Sequence, residues 1–222
     1  MNFQAQGPVT APSPTPDRLT EAVATTLAAR IVSGIINGGE RVRQTEVAAE
    51  FGVSQAVARE AFRSLEARGL LVSLPRRGVR VPPLDRASVH ELVVMRAALE
   101  PVALRAALAL PAREWVDAAE QAIGDAERST QLADWEAANQ RFHLALVDGC
   151  RMPRLVRCIE DLHLASARYL HACWAKLTWQ MQSQDEHRQI VRLVRRRRHE
   201  EACTVLRDHI LAAGAALEQV LP

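Results

Sequence analysis

Apolar residues recur along this chain with two different periods, and the change of period divides it. Val23, Leu27, Ile31 and Ile35 repeat every four residues, which predicts a first helix that Asn37-Gly38-Gly39 ends. A second short helix leads into Gly52-Val53-Ser54. Gly52 can take the positive φ that closes a helix, and the Ser54 hydroxyl can cap the free N–H groups of the next. On that third helix Ala58, Ala61, Phe62 and Leu65 form an apolar stripe, with Gln55, Arg59 and Arg63 on the opposite side. After Gly69 the pattern changes. Leu70-Leu71-Val72-Ser73 and Val79-Arg80-Val81 flank Pro75-Arg76-Arg77-Gly78, which predicts two short strands around a basic, glycine-containing tip. From Pro82-Pro83 onward only helical periodicity remains. Its runs cover about 86–109, 112–129, 131–149, 153–179, 182–197 and 200–219, with breaks at Pro111, from Gly149 to Pro153 and around His199.

The predicted fold class is therefore mainly α. A winged helix-turn-helix with a small β-hairpin wing occupies 17–83, and an antiparallel all-α helical bundle occupies 84–222. Residues 1–16, with Pro8, Pro12, Pro14 and Pro16 among polar residues, read as a disordered arm and not as a targeting signal. A length of 222 residues exceeds one winged helix by about a full domain, and 48% hydrophobic residues suffice for two cores. No segment is apolar enough for long enough to span a membrane. Cys150, Cys158, Cys173 and Cys203 lack paired metal-ligand spacing and read as buried free thiols in a reducing cytoplasm.

Charge changes the picture locally. The net charge of +2 conceals residues 59–80, where Arg59, Arg63, Arg68, Arg76, Arg77 and Arg80 face only Glu60 and Glu66, an excess suited to phosphate contacts. A solvated arginine face on small helices would look similar, but the basic hairpin directly behind it favours duplex DNA.

Residues 20–83 resemble the winged helix-turn-helix of the GntR family of bacterial transcription regulators. The resemblance rests on Gly34, Gly39, Arg41, Val47-Ala48, Gly52-Val53-Ser54, Arg59-Glu60-Ala61, Leu65-Glu66, Gly69-Leu70 and the wing Pro75 to Val81. It implies that Thr45, Gln55, Arg59 and Gly78 stand at DNA-contacting positions, the glycine in the minor groove, with Arg63 and Arg77 as phosphate partners. Relatives usually continue the turn as Ser-Arg-Thr-Pro-Val-Arg-Glu-Ala, whereas this chain has Gln55, Ala56 and Val57. Arg pairs bidentately with guanine and Gln suits adenine or a phosphate, so the operator half-site is expected to shift or to bind more weakly.

In the helical region Leu92, Met95 or Arg96, Leu99 and Ala103 share a face, and Pro101 should kink or restart the helix. An arginine on a core face calls for an anion. Asn139 and His143, four apart, lie on one helix face, and His187 and His209 sit on later helices. Singly, each histidine reads as a surface or satisfied core residue. Together, three neutral imidazoles and one oxygen can hold a divalent transition metal with positions open for water or a ligand. His90, His163, His171 and His199 read as structural. Arg195-Arg196-Arg197-Arg198 reads as a solvated helix end, and Trp135, Trp174 and Trp179 as core or interface residues.

Residues from about 87 to 217 are similar to the FCD domain of the FadR subfamily. The marks are Val94 to Glu100, Asn139-Gln140-Arg141-Phe142-His143, Glu186-His187, Ala202 and Asp208-His209. The resemblance implies a metal, zinc first with nickel or manganese as alternatives, held by Asn139, His143, His187 and His209. It also implies a small carboxylate effector, which Arg96 could pair. Asn139 stands where relatives often have Asp; its carbonyl oxygen can still coordinate but brings no negative charge.

The expected protein is a cytoplasmic, homodimeric DNA-binding regulator, commonly a repressor, on a palindromic operator of double-stranded DNA. It is not expected to be an enzyme. The competing readings are a metal-dependent enzyme built on the bundle, and a ligand sensor that has lost DNA binding through the change at position 55.

Overall fold

Burial of the apolar stripes yields two separate clusters of side chains, which a computed structural model describes over residues 15–110, 114–176 and 180–221. The first cluster is built by α1 (Pro16–Val32), α2 (Gln44–Phe51) and α3 (Gln55–Ala67), closed by a small sheet. Pro16 opens α1, where its missing N–H costs nothing, and Val23, Leu27 and Ile31 are buried. Ile35 departs from the expected stripe: α1 stops at Val32, and Ile35 is 71% exposed beyond Gly34, whose φ is +76°. Gly52 closes α2 at φ +62°, and α3 buries Ala58, Ala61, Phe62 and Leu65 as its stripe requires.

The wing has three strands, one more than the sequence pattern suggested. β1 (Arg41–Val42), β2 (Val72–Leu74) and β3 (Gly78–Arg80) form an antiparallel sheet in the order β1-β3-β2, with Ser73 opposite Val79 and Val42 opposite Val79. A two-residue strand carries no detectable alternation. The expected strand at 70–73 begins two residues late because Leu70 and Leu71 are buried in the core before the hairpin starts.

The second cluster belongs to α4 (Arg86–Leu108), α5 (Glu114–Arg128), α6 (Leu132–Asp148), α7 (Pro153–Cys173), α8 (Gln180–Arg195) and α9 (His199–Val220). Asp85 caps α4 by accepting the Ser88 N–H at 2.8 Å. Pro101 does not break α4. Its buried face is rotated from the expected one: Val89, Val93, Arg96, Ala97, Glu100 and Leu104 point inward, while Met95 is exposed and Leu92 and Leu99 are half-buried. The seat for α9 is tight, since a Cβ on Gly214 would stand 2.5 Å from Val93 Cγ1.

Beyond Cys173 a short 3₁₀ turn, Trp174–Lys176, follows α7, and Trp135 and Trp174 pack with centroids 5.0 Å apart. The expectations for residues 1–14, Pro111 and Trp179 lie outside the described residues. Cys158 is half-buried, unlike the other three thiols. Arg195 is held by Asp117 and Glu120 and Arg198 by Glu201, so these two arginines are spent within the bundle.

The two clusters meet on α7. Its Leu164 packs against the first cluster, Asp161 pairs with Arg68 at 3.1 Å, and Arg168 donates to the Pro82 carbonyl at 2.6 Å.

Candidate functional site

The helix-turn-helix presents its polar side from a stiff base. Ser54 Oγ accepts the Val57 N–H at 3.3 Å and fixes the start of α3. Gln55 and, one turn on, Arg59 are exposed there, and Thr45 is exposed in the first turn of α2. At the wing tip Arg76 and Arg77 are exposed. Gly78 has φ +74°, and a Cβ there would lie 3.1 Å from Arg41 Nε, so Arg41 lies across the glycine.

The basic patch is narrower than a count of arginines suggests. Arg68 pairs with Asp161, and Arg80 donates to the Gly39 carbonyl at 2.8 Å. Arg63 pairs with Glu60 at 2.7 Å and lines a cleft shared with Asp17 and Asp161. That leaves Arg59, Arg76 and Arg77 as exposed guanidinium groups with no ion pair among the described residues.

In the bundle, α6 brings Asn139 and His143, α8 brings His187 and α9 brings His209 to one buried place. One ring nitrogen from each histidine lies within 4.8 Å of the other two. His187 Nε2 and His209 Nε2 are 3.1 Å apart. Two nitrogens bound to one tetrahedral zinc at about 2.0–2.1 Å would be separated by roughly 3.3 Å, so this spacing suits a shared cation.

The outer nitrogens are already engaged. His143 Nδ1 is 2.8 Å from Glu100 Oε2, and His209 Nδ1 is 2.7 Å from Glu186 Oε2. An N–H donated outward to a carboxylate leaves the inner lone pair for a metal and fixes the ring. Phe142 stacks on His187 with centroids 3.9 Å apart. Burial lowers the His143 pKa to about 3 against the opposing pull of Glu100, and burial holds His187 well below its ordinary value, aided by His209 and His143. Neutral imidazoles are the form that coordinates. Asn139 Oδ1 is buried without a hydrogen-bond partner, a vacancy that metal coordination or a bound ligand would satisfy. The residues present therefore fit a divalent metal.

Sequence reasoning missed a second layer. Glu100, fully buried, takes Arg96 Nε at 2.7 Å and lies 3.1 Å from His163 Nε2. Burial by itself would raise the Glu100 carboxyl, but Arg96 and then His143 and His163 hold it well below the ordinary value. The anion that Arg96 called for lies four residues along its own helix, a spacing that sequence does offer. His163, expected to be structural, is buried beside this group with Arg96 NH2 at 3.1 Å; its pKa is lowered by burial and by Arg96. Glu100, His143 and His163 also cluster within 4.8 Å, but the guanidinium already supplies their cation. Ser183 and Gln184, one turn before His187, are buried with unpartnered polar atoms, a signal no spacing rule reveals. His90 lies apart, 3.0 Å from Glu218.

The model of the bacterial regulatory proteins of the gntR family matches residues 19–81, and the FCD domain model matches 91–212. The chain belongs to the GntR family, with an FCD domain. This GntR-family protein is 29% identical over 190 residues to the HTH-type transcriptional regulator YdhC of Bacillus subtilis, covering 82% of this chain and 81% of that one. It is 36% identical over 133 residues to a probable D-xylose utilization operon transcriptional repressor of Paenarthrobacter nicotinovorans, covering 57% of each. A GntR regulator structure from Rhodococcus sp. RHA1 shares the fold at 20% identity, with a TM-score of 0.77 over 91% of this chain and 99% of that one. The GntR-family chain is accordingly a DNA-binding transcription regulator with an effector-binding domain. Among the described residues no helix is long and apolar enough to cross a membrane.

Proposed function

We propose that this regulator is a cytoplasmic homodimeric repressor whose hold on a palindromic operator is set by a small carboxylate bound beside a metal in its bundle. The carrying observation is the 3.1 Å approach of the His187 and His209 inner nitrogens within the buried trio that His143 completes, with the unpartnered Asn139 oxygen one helical turn from His143. Residues 17–83 form the reading domain and 84–222 the effector and dimerisation domain. Gln55, Arg59, Thr45 and Gly78 face DNA, with Arg77 on phosphate. Arg63 joins them by giving up an exposed ion pair worth little. His143, His187, His209 and Asn139 hold the metal, zinc before nickel or manganese. When bound, the metal supplies positive charge and an open coordination position for the effector's anionic group. Ser183 and Gln184 bring unpartnered polar atoms that a bound ligand would satisfy. Arg96 adds positive charge next to His163 while keeping Glu100 ionised.

The Paenarthrobacter relative is itself a probable transcriptional repressor. Regulation follows from linkage: an effector that prefers the conformer with wrongly spaced heads weakens DNA binding by its differential affinity. The carboxylates of the cluster, Glu100 and Glu186, are engaged on the outer imidazole nitrogens, which disfavours a hydrolytic role.

Two measurements test this reading. Gel shifts on the protein's own upstream DNA at two salt concentrations should show site preference and a steep salt dependence, and their absence sinks the regulator reading. Elemental analysis should find metal in the native protein and little in a His143→Ala, His187→Ala double variant; equal content removes the site.

A further inference from the structure

Where the bundle meets the winged helix, α7 carries a buried cation that no anion among the described residues balances. Arg168 is 5% exposed. Among the described residues its guanidinium has one hydrogen bond, to the neutral Pro82 carbonyl at 2.6 Å, and no carboxylate within ion-pair distance. Among the described residues the other buried arginine, Arg96, ends on a carboxylate, that of Glu100. A desolvated, unpaired guanidinium is costly, and burial does pull the Arg168 pKa down.

Arg168 also lines a cavity of about 360 Å³ at this seam, within the size range of small-molecule sites. Apolar side chains line it as well, Leu92 and Met95 from α4 and Leu162 and Ala165 from α7. Two acidic residues border it, but Asp161 is committed to Arg68 and Glu91 is exposed. Of the two arginines that line it, Arg68 is neutralised by Asp161, which leaves the buried Arg168 fork beside apolar side chains, a match for a molecule with one carboxylate and a short hydrocarbon body.

We infer that this seam cavity is a second ligand site, distinct from the histidine cluster, which binds a short amphipathic monocarboxylate through Arg168. The carboxylate accepts from the guanidinium, and the hydrocarbon part lies against Leu92, Met95 and Leu162. Because the walls come from α4, α7, the end of α3 and Pro82 of the linker, occupancy ties the reading head to the bundle in one orientation. The inference stands independently of the metal reading.

Octanoate is a suitable probe, with octanol as the uncharged control, titrated calorimetrically into the full-length protein carrying its metal. One octanoate should bind per chain, and octanol should bind at least about tenfold more weakly, as loss of a charge-assisted bond implies. Arg168→Gln should weaken octanoate about tenfold or more while metal content stays at the native level. Ala165→Leu, which keeps the guanidinium but fills the cavity, should weaken it comparably and keeps the test decisive should Arg168→Gln fail to fold. The His143→Ala, His187→Ala variant should bind octanoate as the native protein does. The inference is overturned if octanol matches octanoate, if Ala165→Leu binds normally, if no saturable binding occurs, or if only the histidine variant loses the ligand.

Discussion

Glu100→Gln is the substitution that most directly tests the buried layer behind the histidines. The carboxylate is fully buried and meets three groups: Arg96 Nε at 2.7 Å, His143 Nδ1 at 2.8 Å and His163 Nε2 at 3.1 Å. The amide keeps the shape and removes the charge, so Arg96, itself 9% exposed, is left without its counter-ion. Breaking a buried pair from one side costs about 3–5 kcal/mol. At about 2–4 °C per kcal/mol for a chain of this size, the melting temperature should fall by roughly 6–20 °C. The amide also keeps only one acceptor oxygen where Arg96 and His143 now use two, so the His143 ring loses its charged orienting partner, which should weaken metal binding about 10- to 100-fold in a chelator competition. Arg96→Met with Glu100→Gln leaves no unpaired charge and should recover at least about half of the lost stability. A single variant that melts within about 2 °C of the native protein, or a double variant less stable than the single, refutes the claim that these charges depend on one another.

Other outcomes follow from the same geometry. Unfolded histidine titrates near 6.5 and folded His143 at about 3, so between those values the unfolded chain binds a proton that the folded one refuses, and stability falls as pH falls. At about pH 5 this single group should cost about 2 kcal/mol relative to pH 7, and equal urea midpoints for metal-free protein at the two pH values would contradict it. Gly214→Ala drives a methyl to 2.5 Å from Val93 Cγ1, and overpacking of about 1–3 kcal/mol should exceed the roughly 1 kcal/mol that alanine adds to helix propensity. Val93→Ala in the same chain should restore it by thermal melting. Arg59→Ala should weaken the operator complex by about 1–3 kcal/mol in gel shifts, whereas Arg77→Ala should chiefly lower the salt slope by about one.

How much of this was legible in the sequence depended on whether the signal was periodic. The six bundle helices fall where the amphipathic runs placed them because each buries one stripe, and Gly52 and Ser54 act locally, as their chemistry dictates. The third strand was hidden because two residues have no period, and Ile35 misled because Gly34 turns the chain away just after the helix ends. His143, His187 and His209 came together through the resemblance more than through spacing, since α6, α8 and α9 are separated by long stretches of chain. His163 was set aside because it lies on α7, outside the expected ligand pattern, and only packing shows that its ring meets Arg96.

That neighbourhood matters for how the site can speak to the reading head. His163 touches the Arg96–Glu100 group, and the next residue, Leu164, is half-buried and packs against the core of the winged helix. Asp161 and Arg168, on the same helix, hold Arg68 and Pro82 on the other side of the boundary. A shift of α7 that repacks His163 therefore cannot leave Leu164 in place, because interiors are close-packed and tolerate small displacements poorly. The coupling free energy between effector and operator then needs no chain of separate contacts through the bundle. Leu164→Ala, which loosens that one joint, should leave metal content unchanged while reducing the effector's influence on operator affinity. Unaltered coupling in that variant, read by gel shift with and without the effector, would show that the signal travels by another helix.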